Sequence, residues 1–210
     1  MLDLTARKIC EIVEGTLYGL SERQLIRRIS FDTRQIFHAH EVMFIALPGE
    51  HRDGHNYIKK AWDAGVRCFL VSRKVDFESF GDSVFILTEN TLLGLQAIAA
   101  YHRSLFKIPV IGITGSNGKT IVKEWLYQML SGEINIAKSP KSYNSQLGVP
   151  MSVITLRPEN ELAIFEAGIS QKGEMDRLEA IIQPTIGILT YMGAAHSEGF
   201  ESKTAKIEEK

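Results

Sequence analysis

The sequence predicts an α/β protein in two parts: a small N-terminal α/β unit followed by a doubly wound parallel sheet that is cut short. Three observations carry this expectation. Among 210 residues, 44% are hydrophobic and 23% charged, the composition of a folded globular chain. From about residue 110 onward, short apolar runs alternate with amphipathic stretches, which is the pattern of parallel βαβ units. Between the first such run and the first such helix lies Gly115-Ser116-Asn117-Gly118-Lys119-Thr120, a glycine-rich strand-to-helix turn.

The first unit opens with Leu2, Ile9, Ile12 and Val13 on one face at helical spacing, and Gly15 stops that helix. Short β-type runs follow at Leu25–Phe31, Val42–Leu47, Arg67–Ser72 and Ser83–Thr88, with a helical pattern from Tyr57 to Ala64 that ends at Gly65. Asn90 can cap a helix running to about Phe106, where Pro109 ends it. The boundary between units is expected near Ser104–Ile108. Beyond it the spacing predicts strands Val110–Thr114, Ile134–Ala137, Leu162–Glu166 and Ile186–Thr190. Helices Lys119–Leu130, Gln146–Leu156 and Glu174–Ile182 alternate with them. The chain stops in Glu208-Glu209-Lys210, at the first turns of another helix, so it reads as a piece of a longer protein.

Charge and cysteine content narrow the function. With 24 basic and 25 acidic residues the net charge is −1, too little for a global field that holds nucleic acid or an anionic bilayer. A local basic pocket for a small anion remains open. No apolar run approaches the ~18 residues that span a bilayer, and Asp3 interrupts what would be the start of a signal peptide. Cys10 and Cys68 fall inside apolar patterns, as buried thiols of a reducing compartment do. A cytoplasmic protein is expected.

The turn at 115–120 has the context a phosphate-binding loop requires. Glycines let backbone N–H groups turn toward phosphates, and the helix N-terminus adds partial positive charge. Lys119 can reach the outer phosphates and the Thr120 hydroxyl can ligate Mg²⁺. The usual G-x-x-x-x-G-K-[ST] spacing would place glycine at 113, where this chain has Ile113.

This Thr-Gly-x-x-Gly-Lys-Thr variant resembles the Mur ligases, ATP-dependent amide-forming enzymes of peptidoglycan synthesis. Further blocks extend the resemblance. Tyr143-Asn144-Ser145-Gln146-Leu147-Gly148, Phe165-Glu166-Ala167-Gly168 with Gly173-Glu174-Met175, and Ala195-His196-Ser197-Glu198-Gly199-Phe200 look like successive MurF-type blocks. Ser30-Phe31-Asp32-Thr33-Arg34, Ala46-Leu47-Pro48-Gly49 and Asp53-Gly54-His55 look like the uridine-nucleotide domain shared with the MurE type. The wording of Gly118–Trp125 and Ser139–Ser145 is most like the ligase half of proteins fused to an alanine racemase. The resemblance covers the first two of the family's three domains, implying a UDP-substrate domain at 1–105 and a central ATP-binding domain at 106–210.

The resemblance implies joining of a UDP-linked muramoyl tripeptide to D-alanyl-D-alanine, with ATP forming an acyl phosphate that the amine attacks. It implies catalytic roles for Lys119, Glu166 and His196, and nucleotide binding by Gly115, Ser116, Asn117, Gly118, Lys119 and Thr120. Substrate contacts fall to Ser30, Asp32, Thr33, Arg34 and Asn144. Mg²⁺ ligands fall to Thr120, Glu166, His196 and Lys210, with Lys203 and Lys206 competing for the last place. The piece is expected to bind ligands without turnover. A MurE-like ligase, a non-catalytic nucleotide-binding domain fused to a racemase, and a generic P-loop hydrolase are the alternatives. Asp32 could instead simply cap a turn. His38, His40, His51 and His55 read as surface loop residues, and Trp62 and Trp125 as packing residues.

Overall fold

A computed structural model describes residues 2–19, 22–49, 52–193, 200 and 203–210. It divides into two compact units, Met1–Ile98 and Ala99–Lys210, with the division inside one helix.

The first unit contains β1 (Leu4–Thr5), α1 (Ala6–Ile12), β2 (Thr16–Tyr18), β3 (Leu25–Ile26), β4 (Arg28–Ser30), β5 (Val42–Ile45), α2 (Ile58–Asp63), β6 (Cys68–Val71) and β7 (Val84–Leu87). α3 (Thr91–Ser104) carries the chain onward. Five strands form one sheet in the order β2-β7-β6-β5-β4, parallel except where β2 meets β7. The inner strands β5, β6 and β7 read Val-Met-Phe-Ile, Cys-Phe-Leu-Val and Val-Phe-Ile-Leu, and nearly every residue is buried. Continuous apolar runs of this kind belong to parallel strands covered on both faces. On one face Phe44, Phe69 and Phe85 form the centre, with the Phe69 and Phe85 rings stacked 4.8 Å apart.

The second unit contains β8 (Val110–Thr114), α4 (Lys119–Leu130), β9 (Ile136–Lys138), α5 (Gly148–Val153), β10 (Leu162–Glu166), α6 (Glu174–Ile182), β11 (Ile186–Leu189) and α7 (Lys203–Glu209). Its four strands are all parallel, in the order β11-β8-β10-β9. Ile111, Ile113, Leu162 and Ile164 point to the face where Val122, Leu126 and Leu130 of α4 pack. Gly112 points the other way, and a Cβ there would lie 3.1 Å from Pro184, just past α6. The neighbouring strands β8 and β10 therefore send their following helices to opposite faces. Ligands of open parallel sheets bind at such a switch point, outside the carboxyl ends of the strands.

Several local expectations change. The helix expected from Leu2 begins at Ala6, because Thr5 caps it by accepting from Lys8 N (3.2 Å) and Leu4 pairs with Ile26 in a strand. The run Leu25–Phe31 splits at Arg27 into β3 and β4, which serve different sheets. β2 follows directly on the Gly15 turn, too short for a two-residue period to show. The helix expected at 146–156 shrinks to α5, and the strand expected at 134–137 shifts to β9. Asn90 caps α3 as expected, accepting from Leu92 N and Leu93 N. Cys68 is buried, its thiol pushed up to about 12 by desolvation, and Cys10 is half-buried.

Two further readings are overturned. His55 is buried rather than superficial: Nδ1 lies 2.6 Å from Asp53 Oδ1, and Nε2 accepts from Ser72 N at 3.1 Å. Since an accepting Nε2 is unprotonated, the proton of neutral His55 sits on Nδ1 and donates to Asp53. Trp125 is 64% exposed and packs in no core. His38 and His40 are exposed as expected, and His51 lies outside the described residues.

Phe69→Ala is expected to cost about 3–5 kcal/mol, the usual penalty for removing a fully buried ring from a packed centre. Urea unfolding of the variant against the parent measures it.

Candidate functional site

The glycine-rich loop sits at the switch point, between the end of β8 and the start of α4. Gly115 has φ +145°, and a Cβ there would come within 1.9 Å of Thr190 Oγ1. Only glycine gives both the backbone and the clearance. Thr190 Oγ1 reaches the carbonyls of Thr114 (3.1 Å) and Asn117 (2.7 Å). Ser116 N donates to Tyr191 O at 2.8 Å, and Ser116 Oγ to Gly193 O at 3.0 Å. The loop is thus stitched to the exit of β11.

Gly118 (φ +87°) is the N-cap of α4 and has no side chain to satisfy the first amides of that helix. Those N–H groups and the helix dipole are what an anion uses. Lys119 Nζ donates to Gly115 O at 2.8 Å, so the ammonium lies over the loop it would serve. On the next residue, Thr120 Oγ1 donates to Glu166 Oε2 at 3.0 Å and lies 3.2 Å from Ser142 Oγ.

Strand register puts Glu166 there. Glu166 pairs with Ile113, two residues before the loop begins at Gly115, and it shares the α4 face with Leu162 and Ile164. The carboxylate is fully buried, with its second oxygen 3.0 Å from the equally buried Lys123 Nζ. Thr120, Ser142 and Glu166 together offer hard oxygens of the kind Mg²⁺ takes beside a nucleotide phosphate. Among the described residues, no group of three His, Cys, Asp or Glu side chains makes a ready metal cage.

The structure brings together Gly115–Thr120 and Glu166. Asn144 lies beside them: its carbonyl accepts from Gly168 N (2.7 Å), and its side chain packs on Gly168, just past β10. Lys210 closes α7 with its amide on Ile207 O (3.2 Å). His196 lies outside the described residues. The sequence reading missed Ser142 and Lys123. Lys123 had a signal, since it falls within the stripe Lys119, Val122, Leu126 and Leu130 that otherwise faces the sheet.

A second cleft belongs to the first unit. It encloses about 520 Å³ and is lined by Asp32, Thr33, Arg34, Pro48, Arg52, Tyr57 and Lys60, among others. Three cations there face one carboxylate. Asp32 caps a 3-10 turn at Thr33–Gln35, accepting from Arg34 N (2.9 Å), and its carboxylate takes a two-pronged contact from the Arg34 guanidinium at 2.9 and 2.7 Å. Ser30 Oγ ties the same turn by hydrogen bonds to the Asp32 backbone. The turn-capping alternative is therefore what Asp32 does in this structure, while Arg34 stays exposed at the cleft. Sequence reasoning did not find Arg52, Tyr57 or Lys60, which reach the cleft from a separate segment.

A glycine-rich loop at the switch point of a parallel sheet, capped by a helix and faced by a buried acid, defines the second unit as a P-loop type of α/β domain. Residues 113–210 match the Mur ligase middle domain, and the chain as a whole is similar to Mur ligases. It is 34% identical to the UDP-N-acetylmuramoyl-tripeptide–D-alanyl-D-alanine ligase of Bacillus subtilis, over all of this chain and 46% of that protein. MurF from Acinetobacter baumannii superposes with a TM-score of 0.90 at 30% identity, covering 100% of this chain and 46% of that one. MurF ligase from Thermotoga maritima in complex with ADP gives 0.78 at 28% identity, covering 87% and 42%. The chain spans less than half the length of these relatives.

The Arg34 guanidinium and amide beside Asp32 hold its carboxyl down at about 2. A carboxyl lowered in the folded state stabilises above its ordinary value near 4 and loses that contribution as pH falls toward 2. Carbon NMR titration should find the Asp32 midpoint near 2, rising toward about 4 in Arg34→Ala.

Proposed function

We propose that the chain is the uridine-nucleotide and ATP-binding part of a cytoplasmic ligase that joins UDP-N-acetylmuramoyl-tripeptide to D-alanyl-D-alanine. The observation that carries this reading is the contact between Thr120 and Glu166 at the mouth of the glycine-rich loop, in a chain similar along its length to MurF ligases. Among the described residues no helix is long and apolar enough to cross a membrane.

The chemistry assigns each group a task. Hydroxide is a poor leaving group, so a carboxylate must be activated before an amine can displace anything from it, and ATP supplies that activation by phosphoryl transfer. Loop amides of 115–120 and the N-terminus of α4 hold phosphate oxygens, and Lys119 turns from Gly115 O toward the outer phosphates. When bound, Mg²⁺ supplies neutralisation of charge on the transferring phosphoryl group. Thr120 and Glu166 are the residues that fit it, with Ser142 beside them. His196 and Lys210 are assigned a second ion on sequence grounds alone. Asn144, at the edge of this site, contacts the acceptor peptide.

In the first unit, Ser30 and Asp32 shape the turn that presents Thr33 and Arg34. Arg34, Arg52 and Lys60 supply positive charge for a diphosphate, and Tyr57 supplies a flat surface beside it. The retained acid beside the loop favours a ligase over a scaffold without chemistry, since binding alone requires no buried carboxylate.

Two measurements test the reading. Lys119→Ala should weaken ATP or ADP binding at least tenfold by titration calorimetry with an unchanged circular dichroism spectrum, and unchanged affinity would overturn the loop assignment. Arg34→Lys should weaken a UDP-linked muramoyl peptide several-fold, because a point-charge ammonium cannot reproduce a two-pronged guanidinium contact. The free sugar peptide, lacking the diphosphate, should be indifferent to the same change.

A further inference from the structure

Lys123 lies one helical turn beyond Lys119 on α4, on the stripe that faces the sheet, and its side chain is fully buried. A lysine head in such a place must spend its three N–H groups on oxygens or neutralise. The structure gives it a cage of four. Nζ donates to Ser139 O at 2.9 Å and to Lys141 O, and it lies 3.0 Å from Glu166 Oε1 and 3.1 Å from Glu124 Oε1.

Glu124 is Lys123's own neighbour on α4, whereas the other three partners come from elsewhere in the chain and bear on the loop site. Glu166 ends β10. Ser139 begins the segment after β9, and its hydroxyl accepts from Glu166 N at 3.1 Å. Lys141, at φ +50°, precedes Ser142, whose hydroxyl meets Thr120. One ammonium thus fixes the carboxylate, the backbone that supports it, and the strained residue that delivers Ser142.

It also divides the labour of the Glu166 oxygens. Oε1 receives no hydrogen bond and is held by the charge of the Lys123 ammonium 3.0 Å away, which leaves Oε2 facing Thr120. Without that hold the buried carboxylate is free to rotate, and the hard-oxygen group at the loop would lose its geometry.

We propose that Lys123 is the positioning residue of this site: its buried ammonium orients Glu166 and the 139–142 segment so that Glu166 Oε2, Thr120 Oγ1 and Ser142 Oγ converge on one divalent cation. The assignment rests on the nucleotide–Mg²⁺ reading of the loop. Lys123 touches neither nucleotide nor metal and acts through Glu166.

The test measures ADP binding to the 210-residue chain in EDTA, then across titrations of Mg²⁺ and of Ca²⁺. Mg²⁺ demands near-octahedral ligand geometry, whereas Ca²⁺ tolerates irregular cages. Lys123→Met should leave metal-free ADP affinity within twofold, raise the half-saturating Mg²⁺ concentration at least tenfold, and raise that of Ca²⁺ clearly less. A purely structural role would weaken metal-free binding and both cations together. That result, or a Mg²⁺ response within twofold of the parent, overturns the proposal. If the parent binds ADP with no Mg²⁺ enhancement, the reading of the loop itself fails instead. Should Lys123→Met not fold, Lys123→Gln keeps two N–H donors in the cage, and the same Mg²⁺-to-Ca²⁺ comparison decides the question.

Discussion

The register between β8 and β10 is the constraint from which the second unit's chemistry follows. Pairing Glu166 with Ile113 sets the last residue of one strand level with the end of the other, just before the loop turns away. Because side chains alternate along a strand, the same pairing fixes which face Glu166 occupies. A slip of one residue would aim the carboxylate at α6, and Thr120 would face an apolar side chain. The hydrophobic pattern holds this register, since Leu162 and Ile164 must meet α4 while Ala163 and Phe165 face the other layer.

Burying Lys123 and Glu166 in that layer is not a cheap way to gain stability. Two charges taken out of water lose several kcal/mol of hydration apiece, and apolar residues of similar volume often do as well or better. Removing one partner alone typically costs roughly 3–5 kcal/mol. Around the pair, Glu124 is kept below its usual carboxylate range chiefly by the Lys138 ammonium, so Lys123 has a second anion at hand. A pair maintained at such cost in the core beside a ligand loop belongs to specificity of geometry. The first unit solves a different problem: its cations sit at an open cleft, where water screens them and a ligand can displace their present partners.

Much of this was legible in the sequence because the signals are local. The strand-loop-helix at 110–130 announces itself through an apolar run, two glycines and a lysine-threonine step, and the alternation beyond it fixes a parallel sheet. Glu166 was legible for the same reason, as an acid closing an apolar run. What escaped depends on distant pairing. Nothing near Leu4 says that Ile26 will pair with it, so the N-terminal strand read as helix. His55 looked like a loop residue because the amide that holds its Nε2 belongs to Ser72, 17 positions along the chain. Trp125 looked like core because apolar character, unlike exposure, is a property of the residue itself. Lys123 stood in an apolar stripe, a mismatch whose meaning appears only when Glu166 arrives from another strand.

The closeness of Gly115 to Thr190 carries an evolutionary corollary. With φ at +145° and a Cβ at 115 falling 1.9 Å from the threonine hydroxyl, position 115 is closed to side chains twice over, by its backbone and by the hydroxyl that binds the carbonyls of Thr114 and Asn117. The constraint runs one way across 75 positions of chain: the threonine bars a side chain at 115, while glycine at 115 makes no steric demand on position 190. Divergence among relatives should therefore reach position 190 before it reaches position 115.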